Sequence, residues 1–167
     1  MGFSCDVCGE AHAGETRDIR LGLPQPIFLL DEDERRTRAV VEDDFALLHG
    51  QDGDRYFVRA LLELPIDGED GYFGYGAWVE VSEEDARALG ELWTDADGER
   101  AGPFPGTLAN ELSPYAFTEG LAVRIRLRDD VQLLPLVELE DGEHELVRAQ
   151  RRGISSHRAH QLVATVA

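Results

Sequence analysis

Two apolar stretches decide the fold of this 167-residue chain: RYFVRALLELP at residues 55–65 and YFGYGAWVEV at residues 72–81. Both are rich in aromatic and branched aliphatic residues, and the acidic turn at residues 63–71 links them, which is the pattern of an antiparallel pair. Period-two alternation divides the second stretch between one face with Phe73, Tyr75, Ala77 and Val79 and another with Tyr72, Trp78 and Glu80. Gly74 and Gly76 predict a bulge or a close backbone approach.

Further strands are predicted on both sides of this pair. Residues 45–49 (FALLH) lead through a Gly-Asp turn at 50–54 into residues 55–65, which is a hairpin signal. Residues 121–128 (LAVRIRLR) alternate apolar and arginine side chains, and residues 131–139 return antiparallel. Pro135 indicates an edge position for that last strand, because proline cannot donate to a strand ladder. A short strand is also expected at residues 17–23.

Helices are expected around these strands. Ser82 followed by three acidic residues is the start of a helix over residues 82–93. The remaining predicted helical segments are residues 31–41, a single turn at 106–112, and two C-terminal helices at 143–152 and 156–166. The sequence therefore predicts one α+β domain over residues 1–167, with about five mainly antiparallel strands and peripheral helices.

The charge balance excludes two classes of partner. The chain has 34 acidic and 16 basic residues, a formal net charge of −18, and all the basic residues are arginine. Binding to nucleic acid or to an anionic membrane needs a basic surface, so neither partner is expected. A basic protein partner is compatible with this charge, because charge complementarity steers association. The sequence carries no indication of the oligomeric state.

No targeting or catalytic motif is visible in the sequence. The N-terminus lacks the basic and apolar regions of a signal peptide, and no stretch has the length of a membrane span, so a cytoplasmic protein is expected. Phosphate-loop, G-x-S-x-G and H-E-x-x-H patterns do not occur. No catalytic residues are assigned, and the sequence favours a binding protein over an enzyme.

The N-terminal segment CDVCGEAH has the spacing of a zinc knuckle. Its two cysteines, Cys5 and Cys8, are followed by Gly9 and His12, and such a turn directs both thiolates to one centre. A structural zinc site needs a fourth ligand, and the candidates elsewhere in the chain are His49, His144, His157 and His160. A redox thiol pair, two uncommitted thiols and a catalytic metal are the alternatives.

A second candidate site lies on the predicted central strands. Arg59 is a charged residue within an apolar run, and such a side chain must reach solvent or find a partner. A structural ion pair is its first interpretation and ligand binding its second. Tyr75 and Trp78 belong to an aromatic group on adjacent strands that packs in a core or lines a ligand groove. Arg59, Tyr75 and Trp78 are the candidate ligand-binding residues.

Several segments together resemble a family of bacterial proteins known as domain of unknown function 2199. They are CDVCGEAH, YFVRALLELPI, FGYGAWVEVSEED, PFPGTLANEL, LLPLVELEDGEHEL and QRRGIS, and they cover nearly the whole chain. The resemblance implies a structural Zn²⁺ held by Cys5, Cys8, His12 and His144, with a zinc knuckle at residues 1–14 packed on the C-terminal region. The chain departs from the family pattern at Glu145, where a proline commonly stands, and in its longer turn at 50–54.

These observations lead to one functional expectation with an alternative. The expected function is that of a non-enzymatic, zinc-stabilised binding module, which captures a basic protein in the manner of an immunity protein or antitoxin. The alternative is a small enzyme or metabolite sensor that uses the zinc and thiol site or an aromatic groove.

Overall fold

The computed structural model describes residues 3–4, 11–12, 18–68, 70–95, 101–130 and 133–164. The strands within these ranges are β1 (Phe3–Ser4), β2 (Ala11–His12), β3 (Asp18–Arg20), β4 (Ala39–Val41), β5 (Phe45–Leu48), β6 (Arg55–Pro65), β7 (Tyr72–Val81), β8 (Phe104–Leu108), β9 (Ala122–Arg126) and β10 (Leu136–Leu139). The helices are α1 (Gln25–Phe28), α2 (Glu32–Arg38), α3 (Glu83–Leu92), α4 (Glu145–Arg152) and α5 (Ser156–Ala164). The prediction of an α+β fold is confirmed.

A closed five-stranded barrel forms the centre of the molecule. Strands β6 and β7 pair antiparallel from Tyr56 opposite Val81 to Pro65 opposite Tyr72, and their register is continuous. Strands β8, β9 and β10 continue this antiparallel meander. Strand β10 then pairs parallel to β6, with Leu136 opposite Leu61, and this contact closes the barrel.

The long strands β6 and β7 also carry strands outside the barrel. Strand β5 pairs with Arg55–Val58 of β6, and β4 pairs with β5. Strand β3 runs parallel to β7 along residues 74–76. Within the described residues the sheet has eight strands in the order β3-β7-β8-β9-β10-β6-β5-β4, more than the five predicted, and two of its pairings are parallel.

The β6–β7 hairpin is buried on both faces, which explains its nearly continuous apolar sequence. One face packs inside the main core with Leu89 of α3, Leu146 of α4 and Leu162 of α5. The hairpin residues on this face include Val58, Ala60, Leu62, Leu64, Phe73, Tyr75, Ala77 and Val79. The other face contributes Phe57 and Trp78 to a smaller core with Ile27. Each fully buried large apolar side chain contributes about 1.5–3 kcal/mol, and the predicted division of faces is confirmed.

Two sequence predictions around this barrel are wrong for identifiable reasons. Residues 106–112 are not a helical turn, because Phe104–Leu108 is strand β8 in the barrel wall. A Cβ atom on Gly106 would lie 2.7 Å from the Glu80 carbonyl oxygen, so glycine here permits the close crossing of β7 and β8. Strand β10 is not an edge strand, because Pro135 precedes it and accepts a hydrogen bond from Leu61 N through its carbonyl, 2.8 Å.

The helix boundaries follow local capping signals. The Ser82 hydroxyl accepts from Asp85 N at 3.1 Å and begins α3, as predicted. Gly153 with φ 84° ends α4, and Ser155 caps α5 by accepting from Arg158 N at 3.0 Å. The segment predicted as a helix over 31–41 is helical only to Arg38, after which the β-branched residues at 40–41 pair with β5. Among the described helices, none combines the length and apolar character needed to cross a bilayer.

Candidate functional site

Two of the four predicted zinc ligands lie outside the described part of the chain. Cys5 and Cys8 lie outside the described residues. His12 belongs to strand β2, whose backbone pairs antiparallel with β1 so that Phe3 is opposite His12. Among the residues that the structure describes, no group of three His, Cys, Asp or Glu side chains could hold a metal ion. The zinc site therefore stays a prediction.

His144, the predicted fourth ligand, lies at the start of α4 and caps it. Its Nδ1 accepts a hydrogen bond from Leu146 N at 3.0 Å, so Nε2 carries the proton and donates to the Ala116 carbonyl oxygen at 2.8 Å. Both ring nitrogens are thus engaged in hydrogen bonds. Coordination of a metal by this ring would replace one of these bonds.

The structure brings Arg59 and Trp78 together on the outer face of the β6–β7 hairpin. They are directly opposite each other in the ladder, and the Arg59 guanidinium lies 4.6 Å from the centroid of the Trp78 ring. The indole Nε1 donates to the Leu21 carbonyl at 3.1 Å, and Trp78 N donates to the Asn110 side chain at 2.7 Å. Trp78 is therefore a fixed platform under the guanidinium.

Arg59 is buried without the partner that a buried charge ordinarily has. Its exposed fraction is 3%, and its Nε and Nη1 atoms have no hydrogen-bond partner among the described residues. A buried ion costs several kcal/mol in solvation, whereas a cation–π contact returns about 2 kcal/mol when desolvated. The contact with Trp78 therefore does not offset the burial of Arg59, and the guanidinium is left with unused donors.

Arg59 lies in a cleft of about 460 Å³. The cleft is bounded by β3, by the residue preceding β5, by the outer face of β6 and β7, and by the residues between β9 and β10. Its charged lining residues are Asp18, Arg20, Asp44, Arg59 and Arg128. The rest of the lining consists of Ile19, Leu61, Tyr72, Gly76, Leu133 and Leu134. A volume of this size, apolar with a few charged groups, is typical of a small-molecule site.

Two glycines of β7 make room for this cleft. A Cβ atom on Gly74 would overlap the Asp18 carboxylate and lie 2.8 Å from Leu61 Cδ1. A Cβ on Gly76 would touch the Arg20 backbone, 3.7 Å from its Cα. Strand β3 runs directly beside these glycines, and the close contacts at Gly74 are with side chains, whereas Gly76 makes an ordinary van der Waals contact with the β3 backbone. Strand β3 can therefore place Asp18 over the strand that carries Trp78.

Asp44 is the cross-strand neighbour of Arg59 on the side opposite Trp78. Arg59 N donates to the Asp44 carbonyl at 2.9 Å, which extends the β5–β6 ladder by one residue. Side chains opposite each other in an antiparallel pair lie on the same face. The Asp44 carboxylate makes no ion pair with Arg59 or any other described residue. The sequence expectation of a structural ion pair for Arg59 is therefore not met within the described residues.

Burial raises the pKa of the carboxyl groups in and beside this cleft. Desolvation raises the pKa of Asp44, and the nearby Arg20 charge only partly opposes this increase. Desolvation also raises the pKa of Asp18, and that of Glu63, where the Arg128 charge opposes it. These carboxylates are charged at a solvation cost that no close cation fully offsets, so they too have capacity for a cationic partner.

The other two arginines of the cleft already have backbone partners. Arg20 Nη2 donates to the Asp43 carbonyl at 3.4 Å, and Arg128 Nε donates to the Leu134 carbonyl at 2.7 Å. The second of these bonds fixes the segment before β10 against the cleft. Arg59 is therefore the arginine of this cleft whose side-chain donors most lack an acceptor among the described residues.

Tyr75 does not join Arg59 and Trp78. It points to the opposite face of β7, is 1% exposed, and donates from its hydroxyl to the Ser113 carbonyl at 3.2 Å. Burial raises the pKa of the Tyr75 hydroxyl, which stays neutral at physiological pH. Tyr72, on the same face as Trp78, lines the cleft instead. Sequence alternation had already separated Tyr75 from Trp78.

Sequence reasoning missed Asp18 and Asp44 as site residues. Both belong to acidic or strand-like segments in which nothing local distinguishes them from the other carboxylates of the chain. Their place in the cleft depends on the parallel β3–β7 pairing and on the β5–β6 register. Among the described residues that line the cleft, the ionisable side chains belong to aspartates, arginines and one tyrosine.

Comparison with known proteins gives a family and nothing more specific. A family model described as "Uncharacterized protein conserved in bacteria (DUF2199)" matches residues 4–154. This range includes every described residue that lines the cleft. No curated protein and no solved structure matches the chain.

Proposed function

We propose that the chain, which belongs to the bacterial DUF2199 family of uncharacterized proteins as its sequence resemblance indicated, is a non-enzymatic domain. In this proposal it binds a small organic anion in the Arg59 cleft. The anionic group is a carboxylate, which accepts hydrogen bonds from the Arg59 guanidinium. The observation that carries this proposal is the burial of Arg59 at 3% exposure, with Nε and Nη1 lacking a hydrogen-bond partner among the described residues.

The energetic reason is that a bound carboxylate supplies the hydrogen-bond acceptor that Arg59 lacks among the described residues. An unpaired buried charge is strongly unfavourable, and a hydrogen bond to a charged group contributes about 1.5–3 kcal/mol. Trp78 holds the guanidinium from one side, so little conformational entropy is lost when an anion arrives. The apolar walls from Leu61, Leu133 and Leu134 give the rest of the ligand a surface to bury.

A thermal-shift screen of small carboxylic acids, with inorganic phosphate included, tests the proposal. We expect at least one carboxylate to raise the melting temperature of the wild-type protein and to have no effect on Arg59→Met. Arg124→Met is the matched control, because Arg124 is exposed on β9 and pairs with Glu140 outside the cleft. Absence of any response, or an equal response in Arg59→Met, would contradict the proposal.

Zinc binding is a separate proposal for the N-terminus. Cys5, Cys8 and His12 provide two thiolates and an imidazole, which is a donor set that zinc prefers. His144 is the fourth ligand that the family resemblance implies. Zinc analysis of the purified protein tests this proposal: about one equivalent is expected, with loss of the metal in Cys5→Ser and Cys8→Ser. A metal-free protein with unchanged stability in both variants would contradict it.

A basic protein partner remains the second candidate function. The observation that favours it is the net charge of −18, with exposed acidic first turns on α2 (residues 32–34) and α3 (residues 83–85). Co-expression with the product of the neighbouring gene tests this candidate. A stable complex with a basic product that dissociates at high salt would support it, and a product that does not bind would contradict it.

A further inference from the structure

We infer that the ligand of the Arg59 cleft is a zwitterion, a free amino acid with an apolar side chain, whose carboxylate lies on Arg59 and whose ammonium group lies on Asp44. This inference rests on the proposed function and specifies the ligand class. It starts from the observation that the same cleft holds both a cation and carboxylates that are not paired with each other.

The positions of the carboxylates favour a cationic group beside the ligand's carboxylate. Asp44 is the cross-strand neighbour of Arg59, and Asp18 lies over Gly74 on the adjoining strand β7. Neither carboxylate makes a hydrogen bond or an ion pair with the residues that the structure describes. A ligand ammonium beside Asp44 would pair with that carboxylate and share the cleft with the acid group on Arg59. Asp18 is opposite Gly74, four residues before Trp78 on β7, so it lies at the other end of the cleft.

The charge of the whole protein disfavours a ligand that is only an anion. The chain carries −18, whereas the charged lining of the cleft itself consists of three arginines and two aspartates, so the opposing field comes from the rest of the protein. A simple anion must enter against this field, and a phosphate dianion against twice the repulsion. A zwitterion has no net charge, so it enters without this penalty and can still form both ion pairs.

The uncharged part of the cleft indicates an apolar side chain. Leu61, Leu133 and Leu134 line it together with Ile19 and the ring of Tyr72. No described residue among the lining is an amide or a hydroxyl other than Tyr72 that could recognise a polar side chain. Branched aliphatic and aromatic amino acids therefore fit this lining best.

Calorimetric titration with matched ligands tests the inference. After a thermal-shift screen of the proteinogenic amino acids, two triads are titrated at neutral pH: L-leucine with 4-methylpentanoate and 3-methylbutylamine, and L-phenylalanine with 3-phenylpropanoate and 2-phenylethylamine. We expect one amino acid to bind at least tenfold more tightly than its deaminated acid, and the amine to show no binding. Affinity for the amino acid should change little between low and high salt.

Two variants assign the contacts. Asp44→Asn should weaken binding of the amino acid at least tenfold and leave binding of the acid unchanged or stronger. Arg59→Met should abolish binding of both ligands, with circular dichroism confirming that it folds.

The possible results distinguish failure of the zwitterion inference from failure of the proposed function. If the acids bind as well as the amino acids, and Asp44→Asn leaves the ratio unchanged, the zwitterion inference is overturned while the proposed function stands. If no amino acid binds but other carboxylates do so through Arg59, the inference is overturned in the same way. If no carboxylate of any kind depends on Arg59, both fail.

Discussion

At the scale of single residues, Arg59 shows how a side chain can be kept for binding at a cost in stability. Its guanidinium is held over Trp78, but the described structure gives its Nε and Nη1 no acceptor. A residue that served stability alone would have an ion pair or would be apolar in this position. Sites that bind ligands commonly retain such unfavourable groups.

This view predicts that Arg59→Met stabilises the free protein. Methionine fills a similar volume without a charge, so the free energy of unfolding should rise by about 1 kcal/mol or more after loss of the cation–π contact. Each kcal/mol corresponds to an increase of about 2–4 °C in melting temperature for a domain of this size. Chemical denaturation without ligand measures the change. A loss of stability in Arg59→Met, with Arg59→Lys less affected, would mean that the guanidinium is a structural group.

At the scale of secondary-structure elements, His144 acts as the cap of α4. Replacement by alanine removes the acceptor for Leu146 N and the donor to the Ala116 carbonyl, and should cost about 1–2 kcal/mol. Asparagine is a good N-cap but a poor zinc ligand, so His144→Asn should keep most of the stability. Denaturation of both variants with and without a chelator measures the effect. If His144→Asn is as destabilised as His144→Ala, and the chelator removes the difference from wild type, zinc ligation is the main role of this residue.

The crossing of β7 and β8 gives a second prediction at this scale. Gly106→Ala would place a Cβ 2.6 Å from Val79 Cγ1 and 2.7 Å from the Glu80 carbonyl oxygen, and it should destabilise the barrel by about 1–3 kcal/mol. Gly90→Ala is the matched control, because Gly90 lies in α3 with no atom within 4 Å of the added Cβ. That control should gain about 0.5–1 kcal/mol from higher helix propensity. Equal effects of the two substitutions on the urea midpoint would refute the tight crossing.

The elements also show how far the sequence alone could lead. The central hairpin was predictable, because two long runs of aromatic and branched aliphatic residues joined by an acidic turn carry strong local signals, and the alternation in residues 72–81 separated the two faces of β7. Closure of the barrel was not predictable from the sequence, because the pairing of Leu136 with Leu61 joins segments that are far apart in the chain. Strand β8 was misread because glycine and proline conceal its strand character.

Some residues of the candidate site could likewise be selected from the sequence, and others could not. Arg59 could be selected from the sequence because a charge interrupts an apolar run, and Trp78 because it shares the outer face. Asp18 and Asp44 could not be selected, because only long-range strand pairing distinguishes them from the other carboxylates. Local patterns identify an unusual residue, whereas tertiary pairing supplies its neighbours.

At the scale of the whole molecule, the raised carboxyl pKa values predict how stability depends on pH. The folded-state pKa values of Asp18, Asp44 and Glu63 lie above their ordinary values of 3.8 and 4.5. Between the unfolded and folded pKa values the folded state binds more protons, so the contribution of these groups falls as the pH rises through that window. Above both values they destabilise the fold by a constant amount.

We therefore expect Asp44→Asn to stabilise the free protein at pH 7 and to reduce the loss of stability between pH 4 and neutrality. Denaturation at several pH values and constant ionic strength, with Asp52→Asn in the exposed turn between β5 and β6 as the control, measures this effect. A destabilised Asp44→Asn at pH 7 would show that Asp44 forms a stabilising ion pair in the free protein and would contradict this prediction.

The central claim is that Nε and Nη1 of Arg59, which have no acceptor among the described residues, gain one from a ligand carboxylate. The most direct measurement is the NMR resonance of the Arg59 Nε–H group, assigned by comparison with Arg59→Met and followed while L-leucine or L-phenylalanine is added. The account predicts a large downfield shift and slower exchange with water for this resonance, with the other arginine Nε–H resonances nearly unchanged. An Arg59 resonance that stays in place while an added ligand binds would contradict it.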